Sequence, residues 1–215
     1  MISNFLYPYM QYIRQVRASH IRVLHASPDA PPVDVYANNN LIAKNIPYKG
    51  FTSYISVAPG NYLISVFVSG TTKNPVLVKN IQIPNDTIAT VTATGYISDL
   101  DLLPIVESVE PIPTNKTMIR FVHLSPNTPN VDITLPNGTV LFEDVEYEEV
   151  TEYIPVPPEN YTIEVKVAET EQTALIVPNI NLRPNRFYSI YAVGFLDDKP
   201  PLQVLIPLDG NSYIK

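Results

Sequence analysis

The sequence predicts an all-β protein: two tandem β-sandwich domains of the immunoglobulin-like or transthyretin-like kind, behind a short N-terminal extension. Three observations predict this. The 215-residue chain repeats itself at a spacing near one hundred, its apolar residues alternate with period two, and 22 prolines stand against 7 glycines, as in short strands with stiff connections.

The extension, residues 1–20, comes first. Ile2, Phe5, Leu6, Tyr9, Tyr12, Ile13 and Val16 fall at helical spacing, and Pro8 limits a helix to the part that follows it. Such a face covers apolar surface, either on its own first domain or on a neighbouring subunit. The segment lacks a basic start followed by an unbroken apolar run, so it does not read as a signal peptide, and no stretch is long enough to cross a bilayer as an apolar helix.

The first domain is expected over 21–107 and the second over 118–209, with a six-residue tail after it. IRVLHASPDAPPVDVY from Ile21 aligns with IRFVHLSPNTPNVDIT from Ile119; Tyr54, Val57, Pro59, Asn61 and Tyr62 then align with Tyr153, Val156, Pro158, Asn160 and Tyr161, and Ala93 and Gly95 with Ala192 and Gly194. A period of this size is one sandwich, so each copy is expected to form its own bead with its own core. Strands are read from alternation, as in Tyr62-Leu63-Ile64-Ser65-Val66-Phe67-Val68, and about seven are expected per copy. Asn137-Gly138 predicts a type I′ hairpin turn, with Asn38-Asn39-Asn40 in its place in the first copy. Asn85-Asp86 and Pro184-Asn185 predict later turns. Between the copies, residues 108–117 (SVEPIPTNKT) read as an extended, semi-rigid linker.

Composition closes off several functions. The chain has no cysteine and only three histidines, His20, His25 and His123, so no thiolate or histidine-rich metal site is expected and no cofactor is implied. Residues 1–110 carry 7 basic and 7 acidic side chains, whereas 111–215 carry 7 basic and 14 acidic. An excess of negative charge without a basic stripe argues against nucleic-acid binding.

The run His-x-Ser-Pro-x-x-Pro-x-Val-Asp occurs twice, as His25, Ser27, Pro28, Pro31, Val33, Asp34 and as His123, Ser125, Pro126, Pro129, Val131, Asp132. With Tyr62, Tyr161, Gly95 and Gly194 it resembles the signature of the bacterial domain-of-unknown-function family 4397, across both repeats. The resemblance implies small all-β modules, often in tandem and usually exported or surface-displayed, with no established reaction or ligand. A Ser-His-Asp hydrolase would need an oriented nucleophile and an oxyanion hole, and no glycine-rich elbow is present. The motif is therefore read as structural: His25 and His123 satisfy buried carbonyls, Ser27 and Ser125 cap the Ser-Pro turns at Pro28 and Pro126, and Asp34 and Asp132 accept backbone N–H bonds.

These readings predict a non-enzymatic structural or adhesive protein of a cell or spore surface, synthesised in the cytoplasm and reaching the surface without a classical signal peptide. Assembly is expected through the N-terminal segment, Phe5, Leu6, Tyr9, Tyr12, Ile13, Arg14 and Arg17, meeting the second domain's acids Glu146, Glu148 and Glu149. Such a heterologous, head-to-tail homo-oligomer propagates into a filament when its rotation does not close. The alternative is a carbohydrate-binding module, with a glycan stacked on some of the 14 tyrosines.

Overall fold

The computed structural model describes residues 17–108, 110–170 and 172–214. The first copy contains β1 (Ser19–His25), β2 (Val33–Ala37), β3 (Asn40–Ile46), β4 (Ile55–Val57), β5 (Gly60–Val68), β6 (Leu77–Ile83), β7 (Ile88–Thr94) and β8 (Asp101–Val106). The second contains β9 (Thr117–His123), β10 (Val131–Thr134), β11 (Val140–Val145), β12 (Ile154–Val156), β13 (Asn160–Val167), β14 (Thr173–Asn181), β15 (Phe187–Val193) and β16 (Gln203–Leu205). Among the described residues each copy therefore has eight strands where about seven were expected. The strands after Gly95 and Gly194 sit at sheet edges, and β8 contains Pro104, a residue that demotes a run in sequence but is tolerated at an edge.

Each copy folds into two four-stranded sheets. In the first, β4-β1-β7-β8 faces β3-β2-β5-β6; in the second, β12-β9-β15-β16 faces β11-β10-β13-β14. β1 and β7 run parallel, with His20 opposite Ile88 and His25 opposite Ala93, and β9 and β15 repeat the arrangement from Met118 opposite Phe187. Ile21, Val23, Val35, Val66 and Val91 lie in one core, and Ile119, Phe121, Ile133, Val165 and Ile190 in the other.

The expectation of two separate beads is corrected. All seven residues of β7 and of β9 are buried, so these strands have no solvent face. The sheets that hold them meet in a third cluster of Leu24, Ala26 and Ile105 from the first copy with Val122, Leu124, Tyr191 and Val193 from the second. Strands covered on both faces lose the polar half of the alternation, and here β-branched and small residues fill it: Ile88-Ala89-Thr90-Val91-Thr92-Ala93-Thr94. The result is four stacked sheets with the parallel-paired sheets inside.

The turns differ from expectation in one respect. Asn38 and Asn39, at φ 48° and 64°, form the two-residue type I′ loop between Ala37 and its partner Asn40. At Pro136-Asn137-Gly138 the first turn is instead closed by Gly138 N–H donating to the Leu135 carbonyl (2.9 Å), and Gly138 alone takes positive φ, at 85°. Pro136 holds the negative φ that a type I turn needs and an I′ turn forbids, so the glycine absorbs the left-handed residue.

Candidate functional site

The inner sheets are joined by a buried polar seam to which both copies contribute matching residues. β1 and β9 each carry an arginine at mid-strand, Arg22 between Ile21 and Val23 and Arg120 between Ile119 and Phe121. β7 and β15 place Thr90 and Ser189 beside them, and the loops before β4 and β12 supply Tyr54 and Tyr153. The chain after β8 ends on Glu107, and the chain after β16 on Asp209; their backbone N–H groups bond the Ile88 and Phe187 carbonyls at 2.8 and 3.0 Å, which makes them equivalent.

The arginines cross the seam in both directions. Arg22 Nη1 donates to the Leu208 carbonyl at 3.1 Å and Nη2 to Asp209 Oδ1 at 3.0 Å, while Arg120 Nη1 donates to the Val106 carbonyl at 2.6 Å. Val106 and Leu208 immediately precede the two acids, so each half grips the same point on the other, as in an isologous contact about a two-fold axis. Tyr96 stacks on its counterpart Phe195 at 5.3 Å, consistent with that axis. Arg22 is sandwiched between Phe51 and Tyr54, at 4.9 and 4.8 Å from their centroids, and Arg120 lies 4.5 Å over Tyr153.

Asp209 accepts from both copies: besides Arg22 on Oδ1, its Oδ2 accepts from Tyr153 and Ser189, each at 2.7 Å. Glu107 accepts from Tyr54 and Thr90 through Oε1, and from the Asn211 backbone through Oε2. The C-terminal residues Gly210–Ser212 close one end of the seam, with Gly210 N–H donating to Tyr54 Oη at 3.1 Å. Arg22, Arg120, Glu107 and Asp209 are all at most 4% exposed. The two arginines offset the two carboxylates in net charge, with Arg22 paired to Asp209 at 3.0 Å and to Glu107 at 3.6 Å, whereas Arg120 bonds Ser189 and the Val106 carbonyl and keeps Nη2 without a partner among the described residues. Burial opposes the charge on Arg22, but the tyrosines, Asp209 and Glu107 offset it and raise its pKa. Burial, with the Asp209 charge, raises the Glu107 pKa against the pull of Tyr54 and Arg22. Burial likewise pushes Tyr54 and Tyr153 far above the usual phenol range. A buried cluster of this kind joins the elements of both copies.

The motif residues lie elsewhere, at one end of each sandwich. His25 Nε2 meets the Pro31 carbonyl and His123 Nε2 the Pro129 carbonyl, both at 3.1 Å. Ser125 Oγ donates to the Gly194 carbonyl at 2.6 Å, and Ser27 Oγ donates to Asp29 at 3.3 Å. Asp29 and its counterpart Asn127 tie the loop to the Ile97 and Leu196 N–H groups, each at 2.9 Å. Pro28 is buried and Pro126 half-buried in these loops. Asp34 accepts from Asn45 N, Ser69 Oγ and Gly70 N, and Asp132 from Asp144 N at 2.7 Å. No histidine, serine and aspartate of the motif bond in series, so the triad geometry is not assembled.

Of the residues expected in assembly, Phe5, Leu6, Tyr9, Tyr12, Ile13 and Arg14 lie outside the described residues. Arg17 pairs with Asp86 at 3.2 Å on the surface. Glu146 and Glu149 are exposed and Glu148 half-buried in the loop between β11 and β12. Glu148 N–H donates to the His123 carbonyl at 2.7 Å. Among the described residues there is no group of three or more His, Cys, Asp or Glu placed to hold a metal, and no helix long and apolar enough to cross a membrane.

Sequence reasoning missed the seam, although Arg22 and Arg120 stand at the same place in the aligned repeats. The acids were harder to pair: register puts Leu102 opposite Ala93 and Val204 opposite Ala192, so the repeat spacing widens from 99 to 102 through the longer loop after Gly194.

The fold has distant likenesses among solved structures. The Bacillus anthracis TIE protein matches at TM-score 0.26 and 13% identity over 81% of this chain, which spans 33% of that protein. A family 26 carbohydrate-binding module of Eubacterium rectale Amy13K, solved with maltoheptaose, matches at TM-score 0.30 and 10% identity, over 90% of this chain and 99% of the module. A DUF3823 family protein from Bacteroides ovatus ATCC 8483 matches at 0.23 and 12%, over 77% and 98%. At TM-scores this low no ligand or role is carried over. Comparison with curated proteins finds no match. The family model for a domain of unknown function, DUF4397, matches residues 19–134 and 134–210. The two matches meet at the end of β10, although the second sandwich begins at β9, because the first match runs on through the repeated motif. With both copies of the motif and almost all of both sandwiches inside those matches, the chain belongs to the DUF4397 family of domains of unknown function.

Proposed function

We propose that this is a non-enzymatic structural or adhesive protein of a cell or spore surface, a subunit of a filament, appendage or surface layer assembled through its N-terminal segment. The seam is the observation that supports it. Two sandwiches fixed by reciprocal buried arginines form one stiff block, which transmits load without bending at a linker, and the polar residues that a hydrolase would have borrowed are spent on holding loops. The exposed acids Glu146 and Glu149 supply a charged surface for a basic, apolar segment of another subunit.

Negative-stain electron microscopy of the full chain beside a variant lacking residues 1–16 tests this, because that deletion stops short of β1. Filaments or sheets from the full chain alone are the expected outcome. Isolated particles from both would overturn it, and a glycan array would then test the carbohydrate-binding alternative.

A further inference from the structure

The two cores are not filled alike. Register places Ala43 opposite Val35 and Phe142 opposite Ile133, so Ala43 and Phe142 are equivalent, as are Val23 and Phe121 in the aligned first strands. In the second sandwich Phe121 and Phe142 stack at 6.3 Å in the middle of the core. The first sandwich lacks both rings, and Val35 and Val91 stand where the second has Ile133 and Ile190. It holds instead a cavity of about 160 Å³ between its sheets, walled by Val23, Val35, Val91 and further apolar side chains.

The cavity opens at the end of the sandwich carrying the β2–β3 hairpin, where half-buried Ile42, Ile55 and Tyr62 and exposed Asn40 line it. Among the described residues Asn40 and Tyr62 are the polar side chains that line it, and the Tyr62 hydroxyl donates to the Ala58 carbonyl at 2.8 Å. A sugar would leave its hydroxyls unpaired there. An apolar cavity of about 150 Å³ stays dry and admits benzene. We infer that the first sandwich carries a binding site for an apolar group the size of one aromatic ring, on a ligand whose polar remainder stays at the mouth beside Asn40. The site lies across β1 and β7 from the seam, lined by Val23 and Val91 where the seam takes Arg22 and Thr90, and the second copy of the fold shows what fills it when no ligand is to be bound.

Thermal unfolding of the full chain with benzene as the probe tests the site. At about five times its dissociation constant benzene is expected to raise Tm by roughly 2–4 °C. Val23→Phe with Ala43→Phe, which installs the second copy's rings, abolishes that shift. Should that variant not fold, Val35→Ile with Val91→Ile, which only narrows the cavity, is expected to lose at least half of it. No shift in the wild-type chain overturns the inference, as does an equal shift in the variants, which would place the probe elsewhere. A shift seen only after removal of residues 1–16 overturns it as well, because the cavity would then belong to the chain's own segment.

Discussion

The two motif histidines show how a residue with an ordinary role leaves a measurable trace. His25 and His123 are fully buried, and desolvation lowers both pKa values against the opposing pull of the Pro31 and Pro129 carbonyls. In the unfolded chain each takes a proton near pH 6.5. Between that value and the lowered folded one the unfolded state binds more protons, so stability falls as pH drops below about 6.5 and the fall ends once the folded pKa is passed. Glu107 has the opposite sign: its folded pKa is raised, so its contribution grows as pH falls. The expected result is a Tm that declines from pH 7 to pH 5.5, with a shallower decline in His123→Asn. The slope is the readout, because the substitution also shifts the level. An identical slope would mean that folding leaves the His123 pKa unshifted. The motif was legible because its spacing repeats; its bonding was legible only by residue type, since which carbonyl each ring reaches depends on the loop's path.

At the level of strands and turns, the sequence disclosed alternation and turn residues well, and erred where two local rules compete. Asn137-Gly138 satisfies the I′ preference, but the Pro136 before it decides the turn, and the true I′ loop falls on Asn38-Asn39, where both asparagines accept positive φ. The last edge strands and the burial of β7 and β9 on both faces were hidden because an all-apolar or Thr/Ala-rich run has no period to read. Turn glycines separate conformational strain from crowding. Gly138 and Gly95 have nearly the same φ, 85° and 90°, but a Cβ at Gly138 meets nothing within 4 Å, whereas at Gly95 it would lie 2.7 Å from the Asp99 carbonyl oxygen. Gly138→Ala is expected to cost about 1 kcal/mol, the price of the left-handed conformation alone. Gly95→Ala adds displacement of backbone and is expected to cost on the order of 3 kcal/mol. Urea midpoints of the two variants provide the comparison, and equal losses would show that the loop after Gly95 yields.

Across the whole molecule, duplication has produced something closer to a covalently linked symmetric dimer than to two modules on a string. The repeat announced the two sandwiches but not their contact, since each copy reads as complete and the equivalence of Glu107 with Asp209 is displaced by the longer second loop. Independent beads would unfold in two transitions. The seam predicts one, with calorimetric and van't Hoff enthalpies in agreement, because neither inner sheet can lose its cover without exposing Arg22, Arg120 and the cluster around Tyr191. Asp209 is the place to break it. Asp209→Ala takes the 3.0 Å carboxylate partner from Arg22 and leaves the hydroxyl protons of Tyr153 and Ser189 without an acceptor at a buried site, an expected loss of about 3–5 kcal/mol. The separate cores around Val66 and Val165 are untouched by that change, so the sandwiches persist while their coupling weakens. Calorimetry of Asp209→Ala is therefore expected to show the single transition split or broadened, with the van't Hoff enthalpy falling below the calorimetric one. A variant that still melts as one unit would place the coupling in the apolar contacts of Leu24, Val122 and Tyr191 rather than in the ions, and two transitions in the wild-type chain would mean that the seam does not couple the halves at all.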